Sequence, residues 1–556
     1  MAHKKAYNLW LNEKNLDAGL KEELKNLSEE EILESFYKDI EFGTAGARGI
    51  MGPGTNRMNI YTVKKMSLGF ARYIKKTAKT SNYSVAISYD NRNNSQLFAY
   101  TAARVLASEG IKTFITKNLR PTPFLSYMVR HFACDGGIMI TASHNPREYN
   151  GFKVYDSHGG QLVPDDAAKL VVEVNKIKDY FNIQEYNSDK YINEVDYDLD
   201  YAYLQLVKEI QLTNLEEKPL KFVYSPLHGT GGKMIKELLE ELGYNIIPVE
   251  KEMVPDGNFT RVKSSNPEEP SAYINSLALA KKENADLVLV TDPDADRLGI
   301  VVKHKDEYIP LNGNQTAALE LYYILNRRKE LKTLDKEGIV YSSNVTTPLI
   351  IDIANHFGVE VKEVLTGFKF IAEGIRSTDR SYIFGAEESY GSLISPFVRD
   401  KDAVQAVLLL VEMATYYNTL GLTLYDVLLK VYKEFGTYAE KTLSITYEGI
   451  AGQNQIKKIM ETFRKDYLEV KGESLKVAED YENLTIYKDG KLTKLDFERS
   501  NVLRFIYKSN NRVILRPSGT EPKLKVYLYV KDETLEKASK KLEEIEKNVL
   551  AQIKEV

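Results

Sequence analysis

Residues 287–297 read Leu-Val-Leu-Val-Thr-Asp-Pro-Asp-Ala-Asp-Arg, an apolar run that stops at three aspartates in alternate positions. The apolar run indicates a buried strand, and open α/β sheets hold their ligands in the loops at the carboxyl ends of strands. Alternation in an extended loop can turn Asp292, Asp294 and Asp296 to one side. Carboxylates about 4 Å apart repel by about 4 kcal/mol per pair at an effective dielectric constant of about 20, so the set needs a cation. Oxygen ligands alone suit a hard ion such as Mg²⁺.

This acidic loop has two other interpretations. An EF-hand requires glycine at the sixth position of the loop and glutamate at the twelfth, where this chain has Arg297 and Lys303. A solvated acidic turn is the second alternative, which the position at the end of an apolar strand disfavours.

Five other apolar runs end in the same way, in polar loops, and helical periodicity follows most of them. They are residues 137–140, 222–224, 339–341, 382–384 and 513–515. Alternating strands and helices predict an α/β protein, and the spacing of the strands indicates successive units of about 100 residues or more.

The ends of the chain and the boundaries between its units are predicted from weaker sequence patterns than the strands. The polar stretch 187–200 is interpreted as a linker or helix entry, and residues 12–38 have a helical pattern. From about residue 438 the pattern changes to short strands and one final helix. Its apolar stripe is predicted to pack on the sheet of the last domain, with a partner-binding surface as the alternative. The stripe consists of Leu535, Ala538, Leu542, Ile545 and Val549.

Composition excludes several classes of protein. The 556 residues include 75 basic and 79 acidic side chains, a formal net charge of −4, so the basic surface that nucleic acids require is missing. The single cysteine, Cys134, cannot form an internal disulfide and fits a reducing compartment. No apolar run approaches the roughly 20 residues that span a bilayer, and residues 1–20 lack the apolar core of a signal peptide. We expect a cytoplasmic protein without nucleic-acid or membrane partners.

A second motif, Thr-Ala-Ser-His-Asn-Pro at residues 141–146, also follows a strand, and Lys153 comes ten residues after its serine. A serine hydroxyl is a weak nucleophile unless a base, a metal or an existing phosphoryl group activates it. The Gly-x-Ser-x-Gly motif of esterases is absent here. On these residues alone, a turn stabilised by Ser143 and His144 remains an alternative to catalysis.

Residues 516–522, Arg-Pro-Ser-Gly-Thr-Glu-Pro, follow a third strand. An arginine, two hydroxyls and the backbone N–H groups around glycine can hold a phosphate dianion, although a plain turn is the alternative. Residues 229–233, Gly-Thr-Gly-Gly-Lys, lack the spacing of a P-loop, so ATP is not indicated.

Two further loops could contact a ligand or be merely structural. Residues 42–49, Phe-Gly-Thr-Ala-Gly-Ala-Arg-Gly, let the backbone approach a ligand closely and contain Arg48, which we predict to be buried. Residues 385–391, Gly-Ala-Glu-Glu-Ser-Tyr-Gly, offer carboxylates and a hydroxyl, the groups that bind sugar hydroxyls.

Together and in this order, the loops resemble those of the α-D-phosphohexomutase superfamily, the phosphoglucomutase and phosphomannomutase enzymes, over nearly the whole chain. The resemblance implies an α/β protein of four domains around a central cleft: three similar mixed α/β domains and a smaller α+β C-terminal domain. We assign these domains to residues 1–210, 211–312, 313–437 and 438–556.

The resemblance also implies a role for each loop. Ser143 becomes the phosphorylated residue and, through a phosphoserine oxygen, the fourth metal ligand beside Asp292, Asp294 and Asp296. The implied catalytic residues around the transferring phosphoryl group are Arg48, His144 and Lys153. The candidate substrate-binding residues are Arg297, Thr366, Gly367, Glu387, Ser389, Lys401, Arg516, Ser518, Gly519 and Thr520.

The implied activity is that of a phosphoglucomutase, which interconverts glucose 1-phosphate and glucose 6-phosphate through a phosphoserine and a glucose 1,6-bisphosphate intermediate, with Mg²⁺ as cofactor, as a monomer or homodimer. The stretch 399–402 and the chain length resemble a long branch that includes phosphopentomutases. A phosphopentomutase or a phosphomannomutase is therefore an alternative. A serine-phosphoenzyme phosphatase and a non-catalytic phosphosugar-binding protein are less favoured.

Overall fold

The computed structural model describes residues 2–43, 46–447, 449–518 and 523–556. The chain forms two compact units, the first made of Met1–Tyr341 and Gly367–Leu424, the second of Ser342–Thr366 and Tyr425–Val556. Within the described ranges no single helix is long and apolar enough to cross a membrane. One bent pair of consecutive helices, taken together, meets these criteria of length and composition.

The first sheet of the first unit carries the serine motif. From one edge to the other its strands are Phe42–Gly43, Gly46–Ile50, Tyr149–Tyr155, Gly136–Ile140, Ser84–Tyr89, Lys112–Thr116 and Ile192–Val195. The helices next to them are Ile60–Thr77, Ser95–Ser108, Thr122–His131 and Pro164–Asn175. The central strands are parallel, and Tyr149–Tyr155 returns antiparallel to Gly136–Ile140. The serine motif is therefore the connection between two central, buried strands.

Three helices, Ala2–Asn12, Ala18–Lys25 and Glu29–Phe36, precede this sheet. Trp10 is fully buried among Phe36, Tyr61 and Phe181. The helical pattern predicted for residues 12–38 is confirmed, and a further helix precedes it.

The second sheet carries the acidic loop. Its strands are, in order, Glu307–Leu311, Leu298–His304, Leu287–Thr291, Lys221–Ser225 and Asn245–Pro248. The helical segments of this region are Asp198–Lys208, Gly231–Glu241, Glu250–Met253, Pro270–Tyr273 and Ile274–Glu283. Leu287–Thr291 is entirely buried, parallel to Lys221–Ser225 and antiparallel to Leu298–His304. The acidic loop thus connects two adjacent strands at the centre of this sheet.

The third region of the first unit contains a strand hairpin, Tyr382–Glu387 with Gly391–Leu393. Its helices are Gly313–Glu330, Phe368–Arg376 and Ala403–Thr419. The first residues of the strand Ile339–Ser343, up to Tyr341, also belong to this unit. The turn of the hairpin contains the residues Glu388, Ser389 and Tyr390.

The second unit contains an antiparallel sheet. Its strands are, in order, Thr437–Thr446, Lys523–Asp532, Arg512–Pro517, Leu503–Tyr507, Leu475–Asp480, Thr485–Lys488 and Lys491–Lys494. Its other elements are Leu349–Phe357, Glu360–Val364, Leu424–Phe435, Gly449–Asp466 and Leu535–Glu555. As predicted, the final helix packs on its own sheet, through Ala538, Leu542, Ile545 and Val549. Leu535 is the exception at 39% exposure, because it is the first residue of the helix.

The structure confirms the predicted α/β class, and all six apolar runs are strands. The stretch 187–200, interpreted as a linker or helix entry, does lead into the helix Asp198–Lys208, but the interpretation missed the edge strand Ile192–Val195. This strand pairs with one neighbour, Lys112–Thr116, and keeps polar residues because none of its side chains is fully buried. The four domain boundaries remain predictions.

Candidate active site

Ser143 lies in a tight turn just after the strand Gly136–Ile140. Its backbone has a φ of 51°, in the left-handed region, and its N–H donates to Thr141 Oγ1 at 2.8 Å. Its hydroxyl donates to Asp292 Oδ2 at 2.7 Å and lies 3.3 Å from His144 Nδ1. Since Ser143 is only 3% exposed, its hydroxyl faces the acidic loop rather than solvent.

The acidic loop is a compact turn, so the extended conformation expected from the sequence is wrong. Ala295 has a φ of 51°, and its N–H donates to the carbonyl oxygen of Asp292 at 3.0 Å. Oδ1 of Asp292 accepts the backbone N–H groups of Asp296 and Arg297, both at 3.0 Å. The turn brings one oxygen from each of the three aspartates within 4.8 Å of the others, although all three residues are buried.

Two buried lysines offset part of this negative charge. Lys153 Nζ lies 2.9 Å from Asp294 Oδ2, and Lys401 Nζ lies 3.1 Å from Asp296 Oδ2. The other oxygens of these aspartates, Asp294 Oδ1 and Asp296 Oδ1, are buried and have no hydrogen-bond donor in the described part of the chain. Burial and the neighbouring charges of Asp294 and Asp296 raise the pKa of Asp292 well above its usual value. Unused buried oxygens with excess negative charge fit a divalent cation.

Cationic groups also surround Ser143. Arg297 lies beside the acidic loop, with Nε 3.8 Å from Asp296 Oδ1, and its guanidinium pairs with Glu268. Arg48 donates from Nη1 to Asn145 Oδ1 at 2.6 Å. The prediction that Arg48 is buried is wrong, because alternation along its strand turns Ala47 inward and Arg48 toward solvent.

His144 forms part of the same environment as Ser143. Burial, followed by the charges of Arg297 and Arg48, lowers the pKa of His144 well below its usual value. The imidazole is therefore neutral near pH 7, a state in which one ring nitrogen can accept a proton.

The predicted sugar-recognition loop lies next to the acidic loop in the same unit. The backbone N–H of Leu298 donates to the carbonyl oxygen of Tyr390 at 2.9 Å, which connects the two loops. Glu387 is buried, and its Oε1 accepts the N–H of Gly367 at 2.7 Å. Ser389 is partly exposed in the turn.

The remaining predicted residues belong to the second unit. Thr366 Oγ1 lies 3.5 Å from Asn344 Oδ1. Arg516 Nη1 donates to the hydroxyl of Tyr527 at 3.1 Å, and the N–H of Ser518 donates to the carbonyl oxygen of Lys523 at 2.8 Å. Gly519 and Thr520 lie outside the described residues.

Comparison with known proteins gives four domain matches in order along the chain. They are the phosphoglucomutase/phosphomannomutase α/β/α domains I, II and III, over residues 39–181, 201–305 and 312–435, and the C-terminal domain of the same family, over residues 474–545. The chain belongs to the phosphoglucomutase/phosphomannomutase family.

Relatives in this family match nearly the whole chain. A phosphoglucomutase of Staphylococcus aureus (strain MRSA252) is 39% identical over 533 residues, which are 94% of this chain and 95% of the relative. Among solved structures, Paramecium pp63/parafusin (phosphoglucomutase), in an open form, has a TM-score of 0.69 at 18% identity, with 93% of this chain and 96% of that chain covered. A phosphoglucomutase/phosphomannomutase family protein from Burkholderia thailandensis has a TM-score of 0.67 at 18% identity, with 92% and 97% covered. The four domain matches and the Staphylococcus aureus relative confirm the predicted superfamily, the four-domain class of fold and the class of enzyme, a phosphohexomutase.

Sequence reasoning missed three groups that shape the candidate site. Thr122 Oγ1 donates to Asp294 Oδ2 at 2.8 Å, and its N–H donates to the carbonyl oxygen of Asp294 at 2.8 Å. Thr230 donates to the carbonyl oxygen of Pro293 from both N–H and Oγ1, at 2.8 and 3.0 Å. The third is Arg92, in the polar loop after the strand Ser84–Tyr89. The apolar run 222–224 already leads to the loop of Thr230, and the rule that searches loops at strand ends finds Arg92 once the strand Ser84–Tyr89 is included.

Proposed function

We propose that the chain is a Mg²⁺-dependent phosphoglucomutase in which Ser143 carries the phosphoryl group between turnovers. The observation that carries this proposal is the 2.7 Å hydrogen bond from Ser143 Oγ to Asp292, in a buried cluster of three aspartates and two lysines. The curated relatives named phosphoglucomutase, at 38–39% identity over nearly the full chain, support glucose phosphates as substrates.

The proposed ligands of Mg²⁺ are oxygens of Asp292, Asp294 and Asp296, together with an oxygen on phosphorylated Ser143. Asp294 Oδ1 and Asp296 Oδ1 support this assignment, because they are buried without a hydrogen-bond donor in the described ranges. Bound there, Mg²⁺ would offset negative charge on the transferring group.

Ser143 and the side chains around it would then carry out the transfer of the phosphoryl group. A hydroxyl of glucose 1-phosphate or glucose 6-phosphate attacks phosphorus on Ser143; the bond from phosphorus to Oγ breaks as the new one forms, and glucose 1,6-bisphosphate results. The hydroxyl proton passes to a base. Of the two predicted candidates, His144 is favoured, because it is neutral near pH 7 and 3.3 Å from Ser143 Oγ, whereas Lys153 is paired as a cation with Asp294. Return of the other phosphoryl group to Ser143 completes the isomerisation.

Substrate recognition is proposed to use two kinds of site. Glu387, Ser389, Thr366 and Gly367 would bind sugar hydroxyls, beside Arg297 and Lys401. Arg516 and Ser518, with Gly519 and Thr520, would bind the phosphate that does not react. Bidentate arginine and hydroxyl donors are the groups that a phosphate dianion prefers. The expected cytoplasmic location, the monomeric or homodimeric state and the absence of nucleic-acid and membrane partners remain predictions.

A coupled assay tests the proposal directly. The purified chain, Mg²⁺ and a trace of glucose 1,6-bisphosphate are supplied in parallel with glucose 1-phosphate, mannose 1-phosphate and ribose 1-phosphate. We expect glucose 6-phosphate to form with the highest kcat/KM. Faster turnover of mannose or ribose phosphate would reassign the substrate, and release of inorganic phosphate without isomerisation would indicate a phosphatase. No product from any of the three sugars would contradict a mutase.

A further inference from the structure

Arg92 binds the loop that carries Ser143. Its Nη2 lies 2.5 Å from the carbonyl oxygens of both Ser143 and Asn145. Its Nη1 donates to the carbonyl oxygens of Pro146 and Tyr149, at 2.8 and 3.1 Å. Four backbone acceptors of one loop therefore converge on a single guanidinium group.

Arg92 is itself held in place. The side chains of Arg92 and Asp90 are fully buried, with Arg92 Nε 3.4 Å from Asp90 Oδ2. Oδ1 of Asp90 accepts the N–H of Arg92 at 2.9 Å and the hydroxyl of Ser95 at 2.7 Å. The ring of Phe259 covers the guanidinium, with 5.2 Å from its centroid to Arg92 Cζ. The arginine is thus confined before it contacts the serine loop.

A guanidinium group suits this position for a geometric reason. Carbonyl oxygens that point to one place repel each other, and a buried acceptor without a donor is costly. Arginine offers five N–H donors in a rigid planar fork, whereas lysine offers three from one atom. The fork can hold the loop at both ends while Ser143 keeps its left-handed φ of 51°, a conformation that a residue with a side chain rarely adopts.

We propose that Arg92 is a positioning residue for phosphoryl transfer: by binding the carbonyl oxygens of residues 143–149 it keeps Ser143 Oγ directed at the acidic loop. The inference rests on the proposed function for its kinetic consequence, but the anchoring itself does not depend on any activity. Arg92 bonds to the backbone of the serine loop and acts on the transferring phosphoryl group only through Ser143.

Kinetics with matched variants test the consequence. Arg92→Met removes all four donors and Arg92→Lys keeps the charge, while Arg120→Met removes another buried arginine of the same sheet region, paired with Asp200 at 2.7 Å. A displacement of about 1 Å can cost about 100-fold, so we expect Arg92→Met to lower kcat by about 100-fold with KM changed less than about threefold. Arg92→Lys is expected to recover less than about a tenth of the lost kcat, because one nitrogen cannot reach both ends of the loop. Arg120→Met should lower the melting temperature but keep kcat.

Hydrogen exchange of the peptide 141–150 tests the anchoring without an assay of activity. We expect at least about tenfold faster exchange in Arg92→Met than in the wild type, and unchanged exchange in Arg120→Met. If Arg92→Met does not fold, Arg92→Lys is measured instead, with a smaller acceleration expected. The inference would be overturned if the peptide 141–150 exchanged in the Arg92 variants at the wild-type rate, or if the kcat of Arg92→Met equalled that of Arg120→Met. An inactive wild type would instead contradict the proposed function and leave the exchange result to decide the role of Arg92.

Discussion

Replacing Gly229 by alanine is expected to displace the loop that carries the three aspartates. A Cβ atom at Gly229 would lie 2.5 Å from both Cα and the carbonyl oxygen of Pro293 and 2.8 Å from the carbonyl oxygen of Pro226. All of these are backbone atoms, which cannot rotate away. Pro293 lies between Asp292 and Asp294, so a displacement of Pro293 that relieves the contact moves the acidic loop.

The size of the effect follows from these distances. Ordinary contacts begin near 3.4 Å, so residue 229 and Pro293 must separate by about 0.9 Å, the difference between 3.4 and 2.5 Å. Overpacking a close-packed site costs about 1–3 kcal/mol, and weakening the two bonds from Thr230 to Pro293 adds about 1 kcal/mol. A shift of about 1 Å at a catalytic group can cost about 100-fold in rate.

The assay measures kcat, the Mg²⁺ concentration for half-maximal activity and the melting temperature. Gly232→Ala is the matched control, since its added Cβ lies 3.3 Å from Pro226 Cγ and 3.5 Å from the carbonyl oxygen of Met253. Gly232 is also in a helix, where alanine is favoured over glycine by about 0.5–1 kcal/mol. We expect Gly229→Ala to lose about 100-fold in kcat and to need more Mg²⁺, and Gly232→Ala to remain close to wild type. Unchanged kcat and Mg²⁺ dependence in Gly229→Ala would refute the reasoning.

Three further predictions concern metal, packing and pH. Chelation with EDTA should abolish activity and added Mg²⁺ restore it, and Asp296→Asn should raise the Mg²⁺ requirement; full activity after chelation would argue against the metal. Phe36→Ala should destabilise the N-terminal helices by about 3–5 kcal/mol, measured by the fluorescence of Trp10, the single tryptophan, with kcat unchanged below the transition. Burial raises the pKa of Glu320 from its ordinary 4.5 to about 8; the folded state therefore retains a proton, and stability should fall as pH rises from about 4.5 through about 8, by at most about 5 kcal/mol. Glu320→Gln should remove that part of the pH dependence of stability, measured as the difference between the melting temperatures at about pH 5 and about pH 9. The same difference in Glu320→Gln and in the wild type would contradict the raised pKa of Glu320.

The sequence predicted that the three aspartates come together but not the conformation of their loop. Aspartates after an apolar strand indicate a cation site, because charge and strand position are local properties. The turn depends on the left-handed Ala295 and on the contact of Gly229 with Pro293, which pairs residues distant in sequence. No local pattern in residues 291–297 contains that contact.

Arg92 and Lys401 show the same limit for the site as a whole. Arg92 contacts carbonyl oxygens 51 to 57 residues further along the chain, and main-chain acceptors leave no signature in side-chain identity. The sequence placed Lys401 among the substrate-binding residues, and the structure pairs it with Asp296, so its charge also balances the acidic loop. A role at the substrate and a role in the cluster require the same residue type, which sequence alone does not separate.

The most direct test of the central claim is the mass of the intact protein after incubation with glucose 1,6-bisphosphate and Mg²⁺, followed by peptide mapping. We predict one added phosphoryl group on Ser143, which is still present after turnover of glucose 1-phosphate and never forms in Ser143→Ala. Ser108→Ala, which removes a hydroxyl that donates to the backbone carbonyl oxygens of Val105 and Gln184, serves as the control and should be phosphorylated normally. A phosphoryl group on another residue, or full mutase activity in Ser143→Ala, would contradict the assignment of Ser143 as the phosphoryl carrier.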